Sequence, residues 1–477
     1  MIYTKDNFIN TLDVIGVIEN ETIDLTGEEI IIENNFLHSL EFSNCEIIAN
    51  KIEFFGIRNN LLEIRFYNCS IQAELTFTNC IIQGIYFEKT KSLKSLNLQK
   101  GYNNEHIFEI EQLQFKDTFK TTNSLTTDIT IRGCLFKNEF SFHNINHSIG
   151  SIKLIRNKFG YDNIEFEEHN FMMQNSTLNN IWFHKNCFYN FISFTNCLFT
   201  RNTTDTFKAN SFTQNIFNFI YFNQCSFNNN ETFTKCEFKD YSYFENLIDI
   251  NSGILNFIDC IFHQYISFNN SQLNKFSIER STFKDIASFQ QTNFQLIKID
   301  RVNFEKGAYF DEISLNIKGC DRISLRTIKQ QLQKAENRID YNRFRGYELQ
   351  AYYQELDWKN NFKDKAILWA TKASTGFEHS WTKALRFVLT GAAIFYSLFF
   401  FSENYMLSPN LDFSSLKDFL SGYFRFLIVT DFYNPLEEKR IFIDNSNTIG
   451  WIIFILGKIV LAFGIYEMIQ AFRKFKA

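Results

Sequence analysis

The sequence predicts a mainly β fold: a solenoid of short strands, followed by an α-helical connector and an α-helical two-span transmembrane domain. Three observations carry this. Of 477 residues, 58 are Phe while only 2 are Pro and 18 are Gly, which favours long regular structure around a continuous apolar core. Bulky residues recur every five or six positions over a long stretch. Near the C-terminus two long apolar runs stand out from a chain whose mean hydropathy is only −0.21.

The first 35 residues read as an acidic N-terminal cap, with one Lys against eight Asp and Glu. Charges in "MIYTKDNFINTLDVIG" occupy the place of a secretory apolar core, so no signal peptide is expected.

Residues 36–320 read as the solenoid. Phe257, Phe268, Ile278, Phe289, Ile299 and Phe310 step by 11, 10, 11, 10 and 11, with Phe262, Leu273, Phe283, Phe294 and Phe304 between them. The full period is close to 21, the mark of a repeat architecture. A helix needs apolar spacing of three or four and an amphipathic strand needs two. Four bulky residues per 21 suit a coil with four short sides, one ring pointing inward from each. Stacking coils at the strand spacing of about 4.8 Å places ring on ring. The residue two before each ring, often Cys, Ser, Thr, Ala or Ile, points inward as well; Asn, Gln, Lys, Glu and Thr are expected outward.

The units "CLF", "CSF", "CEF", "CIF", "STF", "TNF" and "VNF" resemble pentapeptide-repeat units. That resemblance implies a right-handed quadrilateral β-helix, here with Phe in place of the usual Leu and hence a wider tube. It is clearest over 181–315; before that, stretches such as "KTKSLKSLNLQKGYNNEHIFEI" look like insertions.

The ten cysteines form no CxxC pair, so they read as reduced core thiols and not as a zinc site. His143 and His147 have helical metal spacing but lie in a strand-like stretch. Residues 36–310 carry 25 basic and 27 acidic side chains, too balanced for a nucleic-acid groove. Other β-helices carry polysaccharide-cleaving carboxylate clusters, and Glu165, Glu167, Glu168 and His169 are the best local candidate, without a matching acid one coil away. No GxGxxG, Walker A, nucleophile elbow, HExxH or EF-hand occurs. The reading is a non-enzyme without cofactor or metal.

Residues 321–382 read as an amphipathic helical connector. Leu325, Ile328, Leu332, Ala335 and Ile339 step by three and four, and Asn342, Gly346, Leu349, Tyr353 and Leu356 continue the phase. It would either cover the open edge of the last coil or form a bundle between subunits.

Residues 383–477 read as the membrane domain, with spans at about 384–402 and 448–467 and a re-entrant or interfacial helix at 416–429, too short to cross. Basic residues precede the first span and follow the second, while the loop between holds seven acids and four bases. The positive-inside rule then puts both termini and the solenoid in the cytoplasm. The segment 322–477 resembles the membrane end of bacterial pentapeptide-repeat proteins of ion-channel type, though TVGYG, the potassium filter, is absent. The resemblance implies a homo-oligomer, a tetramer by analogy, in a bacterial inner membrane. Lys458, mid-span, is the first pore or gating candidate, lining a pore as a ring, pairing with Asp431 or Glu467 of a neighbouring copy, or reaching a carbonyl. Thr430, Asp431 and Asn434, after the short helix, are the others. Two functions follow from these features. One is an oligomeric pore or ion-channel-like protein, its β-helix docking an unknown protein or ligand, as a bacterial stress or defence effector. The other is a membrane-anchored scaffold that conducts nothing.

Overall fold

In the computed structural model the described residues are 3–33, 36–100, 108–116, 127–145, 149–160, 171–200, 210–228, 230–248, 253–405, 416–433, 435–436 and 448–473. They form two compact units, Met1–Ser324 and Leu325–Ala477. The first is a parallel β-solenoid of about 11 turns. Each coil hydrogen-bonds to the ones before and after it in register: Ile278 lies opposite Phe257 on one side and Ile299 on the other.

Inward rings stack down the tube. Phe42, Phe66, Phe87, Phe115, Phe142, Met173, Phe194, Phe222, Phe244, Phe268, Phe289 and Phe310 follow one another coil by coil. Phe194 and Phe222 stack at 4.4 Å and 12°, Phe289 and Phe310 at 4.7 Å and 1°. Offset-stacked rings at such distances add about 0.5–1.5 kcal/mol per pair beyond burial. The steps along this column are 21 residues in its last two coils but 28 between Phe87 and Phe115 and 31 between Phe142 and Met173. The sequence before 181 is therefore regular in its core and irregular only in coil length. The stretch read as an insertion contains the strand Ser92–Gln99 and the start of Glu109–Lys116, both paired to neighbouring coils.

The corners explain the small inward position. Among the described residues from Asn20 to Glu312, twenty-one non-glycine residues have positive φ, ten of them Asn, the side chain that best tolerates the left-handed region. In most coils the next residue is the small inward one, as in Asn44–Cys45, Gln224–Cys225 and Asp259–Cys260. Its side chain donates to a carbonyl of the preceding coil: Cys69 Sγ to Phe42 O at 3.2 Å, Cys260 Sγ to Phe233 O at 3.3 Å, Thr292 Oγ1 to Phe268 O at 2.8 Å. Small size and a donor are both selected.

Three asparagines expected outward do the same job inside. Asn157, Asn186 and Asn215 are buried on successive coils, and their Nδ2 groups donate to Ile131 O, Leu154 O and Phe183 O. They also bond to one another. Asn186 Oδ1 accepts from Asn157 N at 2.9 Å, and Asn215 Oδ1 accepts from Asn186 N at 2.9 Å. Because Asn186 takes the inward place, Cys187 does not: it is half-buried while the other nine cysteines are buried, and all ten are free.

Helix α1, Lys5–Val14, buries Phe8 and Leu12 at the N-terminal end, and strands begin at Val17, inside the acidic stretch. At the other end Ser324 Oγ accepts the Ile299 N–H at 2.7 Å.

The connector is not one helix. The structure divides it into α2, Arg322–Lys334, and α3, Arg338–Glu355. Glu336 turns left-handed at φ 58°, and Asn337 caps α3 by accepting the Asp340 N–H. Leu325, Ile328 and Leu332 are buried as the periodicity requires, but Ile339 is exposed beyond the break. Helix α4, Phe362–Ser374, leads to α5, Trp381–Tyr405; α6, Leu416–Leu427, and α7, Thr448–Arg473, complete the second unit.

Candidate functional site

Among the described residues two helices are long and apolar enough to cross a membrane, Trp381–Glu403 within α5 and Thr448–Phe472 within α7. Their apolar windows are only 28% and 33% buried, so most of each run lies on the surface of the described unit. Leu389, Ile394 and Leu398 on α5 and Ile455, Leu456 and Ile459 on α7 are exposed. Such a continuous apolar surface needs lipid or another apolar cover. The two helices run antiparallel, with Trp381 stacked on Phe472 at 5.2 Å at one end and Phe399 against Phe454 at 5.6 Å toward the other.

Helix α6 has 12 residues, about 18 Å, far short of the roughly 20 residues needed to span. It packs against both long helices. Phe419 meets Tyr396 and Phe400 at 5.0 and 5.4 Å. Deeper in, Tyr423 Oη donates to Leu389 O at 3.0 Å, and Phe426 lies 5.6 Å from Phe454. Two glycines permit this approach. A methyl group on Gly422 would overlap the Tyr396 hydroxyl, and one on Gly457 would come within 2.7 Å of Phe426. The helix therefore lies across α5 around Tyr396, with the Phe426 ring against Phe454 and Gly457 of α7.

Its C-terminus is met by Lys458. The Lys458 Nζ donates to Phe426 O at 3.0 Å and to Ile428 O at 2.6 Å, and lies 5.2 Å from the ring centres of Phe426 and Phe454. The side chain is 3% exposed. The last carbonyls of a helix have no partner within it and carry the negative end of its dipole, so an ammonium there satisfies both. Of the partners the sequence offered Lys458, the structure gives the carbonyl. Glu467 instead accepts from Thr371 Oγ1 at 3.4 Å and Thr375 Oγ1 at 3.1 Å, joining α7 to the end of α4.

The other expected residues lie in the turn after α6. Thr430 is exposed. The Asp431 N–H donates to Ile428 O, its Oδ1 accepts the Tyr433 N–H at 2.9 Å, and its carboxylate attracts the Lys458 ammonium. Asn434 lies outside the described residues, as do Glu165, Glu167, Glu168, His169 and His147. His143 ends the strand Leu135–His143. Among the described residues no three His, Cys, Asp or Glu side chains gather as a metal ion would require.

Sequence reasoning missed Tyr396 with Gly422, and the Glu467 pair of threonines. A second ionisable residue in an apolar span was the available signal for Glu467. No family model matches the chain, and comparison with curated proteins and with solved structures found no match. The fold and these helices fit a membrane-anchored β-helical protein.

Proposed function

We propose that this chain is an oligomeric membrane pore of the ion-channel-like, pentapeptide-repeat kind. Several copies surround a passage, and the solenoid, with both chain termini on the cytoplasmic side of a bacterial inner membrane, docks the protein or ligand that controls opening. Stress response or defence would suit such a gated pore. The single observation carrying this reading is the half-length helix α6, too short to span yet packed against both long helices, with its last carbonyls meeting Lys458 of α7. A membrane anchor needs no such element, whereas short helices ending at mid-depth are how pores present backbone dipoles to ions. No catalytic role is assigned to the solenoid.

A second reading, a membrane-anchored scaffold without a pore, draws on one observation. Phe191, Phe219, Tyr243 and Tyr265 form an outward row of rings 4.7, 5.7 and 6.1 Å apart on successive coils, suited to gripping a partner protein.

Planar-bilayer recording separates the two. The purified full-length chain should give discrete unitary currents, directly or after removal of residues 1–324, while a chain ending at Gly319 should give none. Silence from both the full chain and the 325–477 piece, each folded and inserted, would leave the scaffold reading.

A further inference from the structure

The last carbonyls of helix α6 have no partner within the helix and meet α7 inside its apolar run. Such an end holds a cation in many membrane proteins, because oriented carbonyls replace the ion's hydration shell. Here Phe426 O and Ile428 O converge on the Lys458 ammonium, at 3.0 and 2.6 Å, and Ile428 O also accepts the Asp431 N–H at 3.2 Å. The rings of Phe426 and Phe454, both 5.2 Å away, complete a seat suited to a positive charge. Near this tip Arg425 lies 5.4 Å from the Tyr433 ring centre, and Asp431 is the acid, so the described residues here carry two positive charges and one negative.

We infer that Lys458 is a tethered cation occupying the seat where the α6 carbonyls would otherwise hold a permeating alkali ion, so that the passage favours anions over cations. This rests on the pore reading for its selectivity, but the seat itself does not. A mobile ion entering between Phe426 O and Ile428 O would have to displace an ammonium that cannot leave. Its neighbours in the field add one further net charge only if Asp431 is removed.

The experiment uses the purified full-length chain, the variants Lys458→Met and Lys458→Arg, and two measurements. In proteoliposomes, chloride efflux from wild type should exceed potassium efflux about tenfold or more. Lys458→Arg should keep that ratio, and Lys458→Met should raise potassium efflux about tenfold. Wild type passing potassium faster than chloride, or an unchanged ratio in Lys458→Met, overturns the selectivity. In detergent, thermal unfolding is compared in potassium chloride and N-methylglucamine chloride. Wild type should not distinguish them, whereas Lys458→Met should melt about 3 °C or more higher in potassium, because the vacated carbonyls bind it. A Lys458→Met protein equally stable in both salts overturns the seat. Potassium-dependent stability of Lys458→Met in detergent, together with proteoliposomes that pass neither ion, upholds the seat and rejects the pore reading alone.

Discussion

Replacing Asn186 tests whether the inward small position is chosen for hydrogen bonding or for volume. Its side chain is buried and makes four bonds. Nδ2 donates to Leu154 O at 2.9 Å and Asn215 Oδ1 at 3.0 Å, and Oδ1 accepts from Asn157 N at 2.9 Å and Asn157 Nδ2 at 3.1 Å. In Asn186→Ala the Asn157 N–H loses its acceptor inside the tube, which costs about 1–3 kcal/mol, and each lost donor bond costs about 0.5–1.5 kcal/mol more. With two donor bonds lost, the sum is about 2–6 kcal/mol. Serine should largely rescue. Ser271 shows how, since its Oγ accepts the Leu247 N–H at 3.1 Å and donates to Phe244 O at 3.4 Å. Cysteine should fall between, because a thiol donates to the preceding carbonyl, as Cys69 does, but accepts poorly. Urea unfolding of the full chain in detergent, followed by far-ultraviolet circular dichroism at the β minimum, gives the order Ala, Cys, Ser from most to least destabilised. Equal losses for Ala and Ser would show that volume decides, and the hydrogen-bond account would be wrong.

Other outcomes follow from the same structure. Phe222 stacks between Phe194 at 4.4 Å and Phe244 at 4.9 Å, so Phe222→Ala should lose about 3–5 kcal/mol by the same unfolding assay and Phe222→Leu much less. Alkylation followed by mass spectrometry should modify Cys187 first. Burial pushes the Cys80 thiol up to about 12 and raises Cys225 and Cys260 well above the ordinary range, so these three should stay unmodified at pH 9 until the chain unfolds. On α3, burial works to raise the Glu348 carboxyl, but hydrogen bonds from Lys329 and Arg326 outweigh it and hold it below 4.5. A carboxyl lowered by folding stabilises above its ordinary value, and that stability is lost as pH falls through the lowered one. Glu348→Gln should therefore cost about 1 kcal/mol at pH 7, and the difference from wild type should shrink as pH falls through the lowered value.

Much of the solenoid is written in its phenylalanines. A ring every five or six residues admits no helix and no amphipathic strand, and every bulky residue of the 257–310 series is buried. The asparagines were harder to place, because Asn serves both the left-handed corner, as at Asn44, and the inward position after it, as at Asn157. Phase against the next ring resolves them: Asn157, Asn186 and Asn215 each stand two before a Phe. The break between α2 and α3 was signalled by Asn337 with Asp340 three residues on, overlooked beside the apolar period that ran across it. In the membrane unit the length of α6 announced that it could not span. That Lys458 would meet its last carbonyls depends on how α6 and α7 pack, and 30 residues separate Lys458 from Ile428, so no local pattern recorded it.

The left-handed corners also bear on how the chain comes to fold. Each non-glycine residue held there costs about 1–2 kcal/mol, and an isolated coil must place at least one before any ring has a neighbour to stack on. The gain arrives only when a second coil docks and supplies the facing ring, the carbonyl for the inward donor and the strand partner. A first coil is thus a rare event and each later addition a favourable one, as in the growth of a crystal from a seed. Helix α1, local in sequence and carrying Phe8 against Phe42 at 6.5 Å, is a ready surface on which the first coils can settle, so growth would run from that end.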